Sequence, residues 1–313
     1  MHPSRSRKAF ADEQFCIDLI AAIRWVDSQA VCPKCTGTNV HFMASRKVWQ
    51  CKNKECKKQF SVKVGTIFED SPLGLDKWLT AIWMVTNCKN GVSSYEIHRA
   101  VGVTQKSAWF MLHRIRLAMQ TGSFENKMSG PVEADETYIG GLARFMHRDV
   151  RDRRITGTGS AGKVAVMGLL ERDGKVRAKV IRDATQLTLH AEVRNNVEPG
   201  AELFTDGWKG YSGLHQEYIH QVIDHAEKYV DGQIHTNGIE NFWSLLKRGL
   251  KGTYVSVEPF HLFRYLDEQT FRFNERKGKD ADRFAKVTGQ IAGKRLTYDE
   301  LTGKLADDKL SSH

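Results

Sequence analysis

The chain has 313 residues, 41% of them hydrophobic and 27% charged, and carries a formal net charge of +10. This composition excludes a disordered chain, the length allows two or three domains, and the surplus of cations favours a polyanionic partner. No apolar run reaches the ~20 residues of a membrane span and none follows the basic start MHPSRSRKAF, so neither a membrane nor a secreted protein is expected, and the cytosol is. Residues 10–30, with Phe15, Ile17, Leu19, Ile20, Ile23 and Trp25, predict an amphipathic helix. Behind it stand Cys32 and Cys35, then fifteen residues, then Cys51 and Cys56. Two close pairs at that separation suit tetrahedral zinc held by thiolates, and nothing points to the secretion that two disulfides would need. Cys16 and Cys88 have no partner pattern and read as buried small hydrophobes. The alternating segment VHFMASRKVWQCKNKECKKQFSVKVGTIF predicts a β-ribbon, so a zinc ribbon is expected from about 31 to 68. Lys47, Lys52, Lys54, Lys57 and Lys58 crowd it, either to face phosphates or as its solvated surface.

Residues 71–125 hold three apolar helical patches punctuated by Gly91 and Gly102. Ser93 or Ser94 can cap the second helix and Thr104 the third. A short helix, a VGV turn and a third helix bearing Lys106, Trp109, His113, Arg114 and Arg116 fit a helix-turn-helix; a generic three-helix bundle has the same periodicity. From 130 the texture becomes short strands: VEADETYIGG, a hairpin turning at Asp173-Gly174, AELFTD and YIHQVID, with a helix at 185–196. Helices are then expected at 236–250 and 258–276, and a polar, mobile tail from 277. Strands first in a hairpin and then alternating with helices predict a mixed α/β sheet.

Three acids stand at element ends: Asp135, Asp206 and, in the first turn of the 236–250 helix, Glu240. Carboxylates so placed suit hard divalent cations, and two such ions can clamp the attacking and leaving oxygens of a phosphodiester. On the Glu240 helix, Asn237, Ser244 and Lys247 share a face with the acid, so a carboxylate and a lysine two turns apart can meet a metal and a phosphate. Glu133 points to the side of Asp135 by period two, and Glu136 points away. Each acid also has a bland reading as surface decoration or as support for the sheet. The run Gly157–Lys163 matches the first seven places of a phosphate-binding loop, but Val164 stands where Ser or Thr is needed and no buried strand precedes it. It reads as a basic glycine-rich loop, in which Arg144, Arg148, Arg151, Arg153 and Arg154 either hold DNA or are merely solvated. His225 and His235 lie beside the acids in sequence and read either as DNA or metal-shell contacts or, by default, as ordinary polar partners.

The run HTNGIENFWSLLKRGLKGTY, with ADETYIGG and FTDGWKGY upstream, resembles insertion-sequence transposases of the acidic-triad superfamily, specifically the ISXO-two-like (IS-fifteen-ninety-five) family. The resemblance covers nearly the whole chain. It implies a ribonuclease-H-like catalytic domain over 130–276, preceded by an N-terminal helix and zinc ribbon (1–70) and a helix-turn-helix-like domain (71–125). It implies Asp135, Asp206 and Glu240 as ligands of Mg2+ or Mn2+, Lys247 near the DNA end, and Asn237 as a neighbouring contact. Double-stranded DNA, both transposon ends and target, is the implied partner, in the cytoplasm on the nucleoid, with a homodimer or larger assembly bridging two ends. Lys106, Arg114, Arg116, Arg151, Arg153, Arg154, Lys247 and Arg248 are the candidate DNA contacts. The implied reaction frees a 3′-hydroxyl and joins it to target DNA. A non-catalytic zinc-ribbon regulator or an inactive domesticated relative is the alternative, and a nuclease without strand transfer is a third.

Overall fold

The computed structural model describes residues 10–25, 27, 29–120, 126–140, 148–149, 162–223 and 236–303. The chain divides into two compact units, one formed by Met1–Met119 with Gly278–His313 and the other by Gln120–Lys277.

In the first unit, helix α1 (Glu13–Arg24) starts at Asp12, whose carboxylate accepts from the N–H groups of Gln14 and Phe15. It buries Cys16, Ile17, Ile20 and Ala21. A three-stranded antiparallel sheet follows, β1 (Val40–Met43), β2 (Val48–Cys51) and β3 (Gln59–Phe60), in the order β1-β2-β3. Its small core is aromatic: Trp49 lies 4.7 Å from Phe42 and 5.0 Å from Trp25, ring centre to ring centre. Helices α2 (Leu75–Asn87), α3 (Ser94–Val101) and α4 (Gln105–Met119) supply the main core, with Trp78, Leu79, Ile82, Ile97, Met111 and Ile115 all essentially inaccessible. Burying each such side chain is worth roughly 1.5–3 kcal/mol. Ser93 and Glu96 form a capping box at the start of α3, and Thr104 accepts from the Ser107 N–H at the start of α4.

The segment from 277 departs from the expected mobile polar tail. It forms α8 (Asp280–Gly289) and α9 (Tyr298–Thr302) and buries Val287, Ile291, Leu296 and Leu301 in the first unit. Phe284 of α8 packs on Trp83 at 5.6 Å, and the Ile67 N–H donates to the Ile291 carbonyl. Four well-spaced apolar residues suffice to dock a segment whose average composition is polar. Cys16 is buried as expected, whereas Cys88 is exposed at the end of α2.

The second unit is built on a five-stranded sheet of β4 (Val132–Ile139), β5 (Val164–Glu171), β6 (Val176–Ile181), β7 (Glu202–Asp206) and β8 (Ile219–Ile223), in the order β6-β5-β4-β7-β8. The β4–β5 and β5–β6 pairs are antiparallel, and β4–β7 and β7–β8 are parallel, so the sheet is mixed. Strand alternation divides β5 between two cores. Ala165, Met167 and Leu169 meet Leu189 and Val193 of α5 (Gln186–Asn196), while Val166 and Leu170 meet α6 (Asn237–Gly249) and α7 (Leu262–Asn274). Helices therefore cover both faces, and α6 lies across the central strands. Among the described residues no helix is long and apolar enough to cross a membrane.

Candidate active site

Asp135 is the fourth of the eight residues of β4, mid-strand rather than at the element end expected from the sequence, because pairing with β5 continues to Ile139; Asp206 closes β7. The parallel register pairs Val132 with Leu203 and Glu133 with Phe204. The pairing ends there, but strand alternation places Asp135 and Asp206, each two residues further on, on the same sheet face, the one that α6 covers, and the Asp206 charge acts on Asp135. Burial, with the charges of Glu136 and Asp206 adding to it, pushes the Asp135 carboxyl up to about 7. Glu136 faces the α5 side, as expected for a neighbour on a strand, but it is not remote from the cluster. Burial raises it too, with Asp206 adding, although the buried Tyr211 hydroxyl donates to its Oε2 at 2.8 Å and opposes the rise.

Asp135 is held by two donors. Its Oδ1 accepts from the Glu136 N–H at 2.9 Å and its Oδ2 from the indole N–H of Trp243 at 3.0 Å. The indole comes that close because β5 carries Gly168 opposite Asp135; a Cβ there would sit 2.6 Å from the Trp243 ring. Asp206 Oδ1 accepts from the Trp208 N–H at 3.1 Å, which fixes the turn after β7.

Helix α6 is positioned by an acid two residues before Asp135. Its capping residue Thr236 makes no side-chain cap bond; instead the buried Glu133 accepts from the Ile239 N–H at 2.9 Å through Oε2. Glu133 Oε1 accepts from Arg172 at 3.0 Å, and that guanidinium stacks 3.8 Å from the centre of the Phe204 ring. A negative charge at a helix N-terminus is favourable, and the arginine pairing keeps it so once buried. Gly238 leaves the room needed, since a Cβ there would lie 2.8 Å from Glu133 Oε2. One strand thus carries both Asp135 and the acid that seats the Glu240 helix.

Glu240 is exposed in the first turn of α6, one turn before Trp243, and accepts from the Thr236 hydroxyl at 3.0 Å. Asn237, the first residue of that helix, and Arg248, in its last turn, are exposed. Lys247 is half-buried; burial lowers its pKa, with Lys251 and Lys163 adding to the fall and Asp135 opposing it. The sequence pattern gave no role to Trp243 and Tyr211, whose side chains donate to Asp135 and Glu136. Only their single polar atoms, aimed at the acids, distinguish them.

The four cysteines gather in the first unit, with Cys32 and Cys56 sulfurs 3.6 Å apart and Cys35 and Cys51 sulfurs 3.6 Å apart. Those separations are too long for disulfides and near the ~3.8 Å edge of a tetrahedron with ~2.3 Å zinc–sulfur bonds. Among the described residues this is the one set of three or more such side chains whose ligand atoms all lie within 4.8 Å of one another; the three acids stand wider apart.

Two candidate DNA contacts are corrected. Arg114 is buried and donates to the carbonyls of Leu296 (2.9 Å), Ile67 (3.0 Å) and Glu69 (2.7 Å), and Arg116 is inaccessible. Both face inward because α4 is covered on more than one side, so neither meets a phosphate. Lys106 remains exposed, 4.8 Å above the Tyr298 ring. Arg144, Arg151, Arg153, Arg154, His225, His235 and most of the glycine-rich loop lie outside the described residues.

Comparison with known proteins gives a consistent result. A family model described as an ISXO2-like transposase domain matches residues 127–274, and a transposase zinc-ribbon domain model matches residues 11–59. An uncharacterized protein in transposable element ISH50 of Halobacterium salinarum is 27% identical over 256 residues, covering 78% of this chain and 85% of that protein. An uncharacterized transposase-like protein of Haemophilus influenzae is 32% identical over 101 residues, covering 32% of this chain and 81% of its own length.

Proposed function

We propose, on the premise that this chain belongs to the ISXO2-like transposase family, that its second unit cuts DNA at the ends of an insertion sequence and joins the freed 3′-hydroxyl to target DNA. The observation that carries this reading is the placement of Asp135, midway along β4, and Asp206, at the end of the adjacent parallel strand β7, near enough for their charges to act on each other, on the sheet face covered by the helix that bears Glu240 and Lys247. A sheet of three antiparallel strands continued by two parallel ones, with helices on both faces, supports a ribonuclease-H-like assignment for this unit.

The donor set suits a hard divalent cation: the carboxylates are all-oxygen ligands, and burial and mutual repulsion raise Asp135 in a way that a nearby cation relieves. Asp135, Asp206 and Glu240 would hold Mg2+ or Mn2+. When bound, such ions supply Lewis-acid activation of the phosphodiester and neutralise developing charge. The chain's own residues do the rest. Trp243 and the Glu136 N–H fix the Asp135 carboxylate, and Glu133 seats the helix that carries Glu240. Lys247 offers an ammonium to a phosphate beside the acids. Water then replaces the 3′-oxygen at phosphorus, and the released 3′-hydroxyl attacks a target phosphodiester, whose own 3′-oxygen leaves as a hydroxyl.

The four-cysteine ribbon, with Lys52, Lys54, Lys57 and Lys58 exposed, and the α3–α4 pair, read as a helix-turn-helix with Lys106 outward, bring DNA to the enzyme. Assembly on DNA as at least a dimer would bridge two ends. The test is cleavage and strand transfer with Mg2+ and duplex carrying the inverted repeats that flank the gene. Asp206→Asn should bind that DNA and neither cut nor join it. If it joins DNA as well as wild type, the catalytic assignment is wrong; if wild type binds but never cuts, the chain is a regulator.

A further inference from the structure

Past Lys247 the Glu240 helix does not simply end. It runs into a π-helical turn, Leu250–Tyr254, and then to Val255, whose φ of 62° and ψ of −55° are strained for a β-branched residue. The strain is held in place. The Tyr254 hydroxyl donates to the buried Glu268 of α7, which also pairs with Arg272, and the Tyr254 ring packs on Tyr265 at 4.8 Å. A conformation this costly, pinned by a buried ion pair, is of the kind that concentrates at binding sites. What it builds is one wall of a cavity of about 360 Å³, lined by Tyr138, Ile139, Lys163, Lys247, Lys251 and Val255.

The lining has two chemistries. Three lysines, Lys163, Lys247 and Lys251, share the lining, and the charges of Lys251 and Lys163 both lower the pKa of Lys247. Tyr138 and Val255, both exposed large hydrophobics, offer an aromatic face and an apolar edge beside them. Lysines bind phosphate without regard to sequence, and an aromatic face stacks any base. The cavity has the volume of a small-ligand pocket and is too small for a duplex. We propose that it holds one unpaired nucleotide of a DNA end, its phosphate among Lys163, Lys247 and Lys251 and its base against Tyr138 and Val255. The inference rests on reading the neighbouring acids as a phosphodiester site, and it adds that the strand end is frayed by one nucleotide when it is bound there.

The test uses the full-length zinc-loaded protein without Mg2+, so that nothing is cut. Three short hairpin duplexes compete for binding: one blunt, one ending in a single unpaired 2-aminopurine nucleotide, and one ending in the same nucleotide without its base. Wild type should prefer the base-bearing end by about tenfold over the abasic one, as a single stacked base implies. Tyr138→Ala should abolish that preference. Lys163→Ala and Lys251→Ala should each lower the slope of log affinity against log salt by about 0.7–0.9, one phosphate contact apiece. These side chains are exposed, so thermal melts of the variants should match wild type. Equal binding of base-bearing and abasic ends by wild type, a preference that survives Tyr138→Ala, or unchanged salt slopes in both lysine variants overturns the proposal. Asp206→Asn separates the two readings. It should bind all three hairpins as wild type does while failing to cut the inverted-repeat duplex. Cutting by that variant sinks the catalytic reading, whereas wild-type cutting without the hairpin preferences sinks the pocket alone.

Discussion

Replacing Asp135 by Asn should stabilise the second unit at alkaline pH while removing activity. The ordinary Asp value of 3.8 rises to about 7 in the folded chain, chiefly through burial, with Glu136 and Asp206 adding. Three units at ~1.36 kcal/mol each make a ceiling of ~4 kcal/mol for the cost of keeping this carboxylate ionised when folded. Because the folded state holds the proton more tightly, stability is highest below pH 3.8 from this group and falls as pH rises through about 7. Asn is close in shape, carries no charge, and its side-chain oxygen can still accept from Trp243. Calorimetry of the full-length protein from pH 5 to 8.5, zinc-loaded and without Mg2+ or Mn2+, reads the effect. The wild-type transition should fall with pH and that of Asp135→Asn should not, the two diverging by up to on the order of 10 °C for a unit of this size. Added Mg2+ should restore wild type and leave the variant unmoved. A wild-type transition that is flat over this range, or a variant destabilised equally at pH 5 and pH 8, refutes the reasoning.

Other perturbations test the frame around the acids. Gly168→Ala should drive the Trp243 indole off Asp135, costing about 1–3 kcal/mol by overpacking and most of the strand transfer, read from melts and from indole fluorescence. Cys35→Ser should release zinc, measured with a chromophoric chelator, and expose the Trp25–Trp49 cluster to quenchers. Arg114→Ala should destabilise the first unit by several kcal/mol, at about 1–3 for each buried carbonyl left unpaired, without changing the salt slope of DNA binding in the folded fraction. Lys106→Ala should do the reverse, lowering that slope at unchanged stability.

Local signals were enough wherever the cause is local. Cysteine spacing announced the sulfur cluster, Ser93 and Thr104 announced helix starts, and Asp173-Gly174 announced the β5–β6 hairpin, because each is a matter of a few adjacent residues. Asp206 at a strand end and Glu240 in a first helical turn followed from the same periodicities, whereas Asp135 falls mid-strand because β4 runs on four residues to Ile139 against β5. Tertiary structure decided what depends on which surfaces are covered. Arg114 and Lys106 share a helix and a charge, yet one is buried among carbonyls and the other faces water, and no periodicity distinguishes them once the 278–303 segment folds back on that unit. Trp243 has no signal of its own in the sequence; Gly168, 75 positions earlier, lets its indole reach Asp135. Glu133 reads as a strand acid until a helix more than a hundred residues later places its N-terminus on it. Sequence alone determined which residue types were available for the chemistry; long-range packing determined which polar atoms were left facing the acids, because that depends on contacts between segments with no local relation.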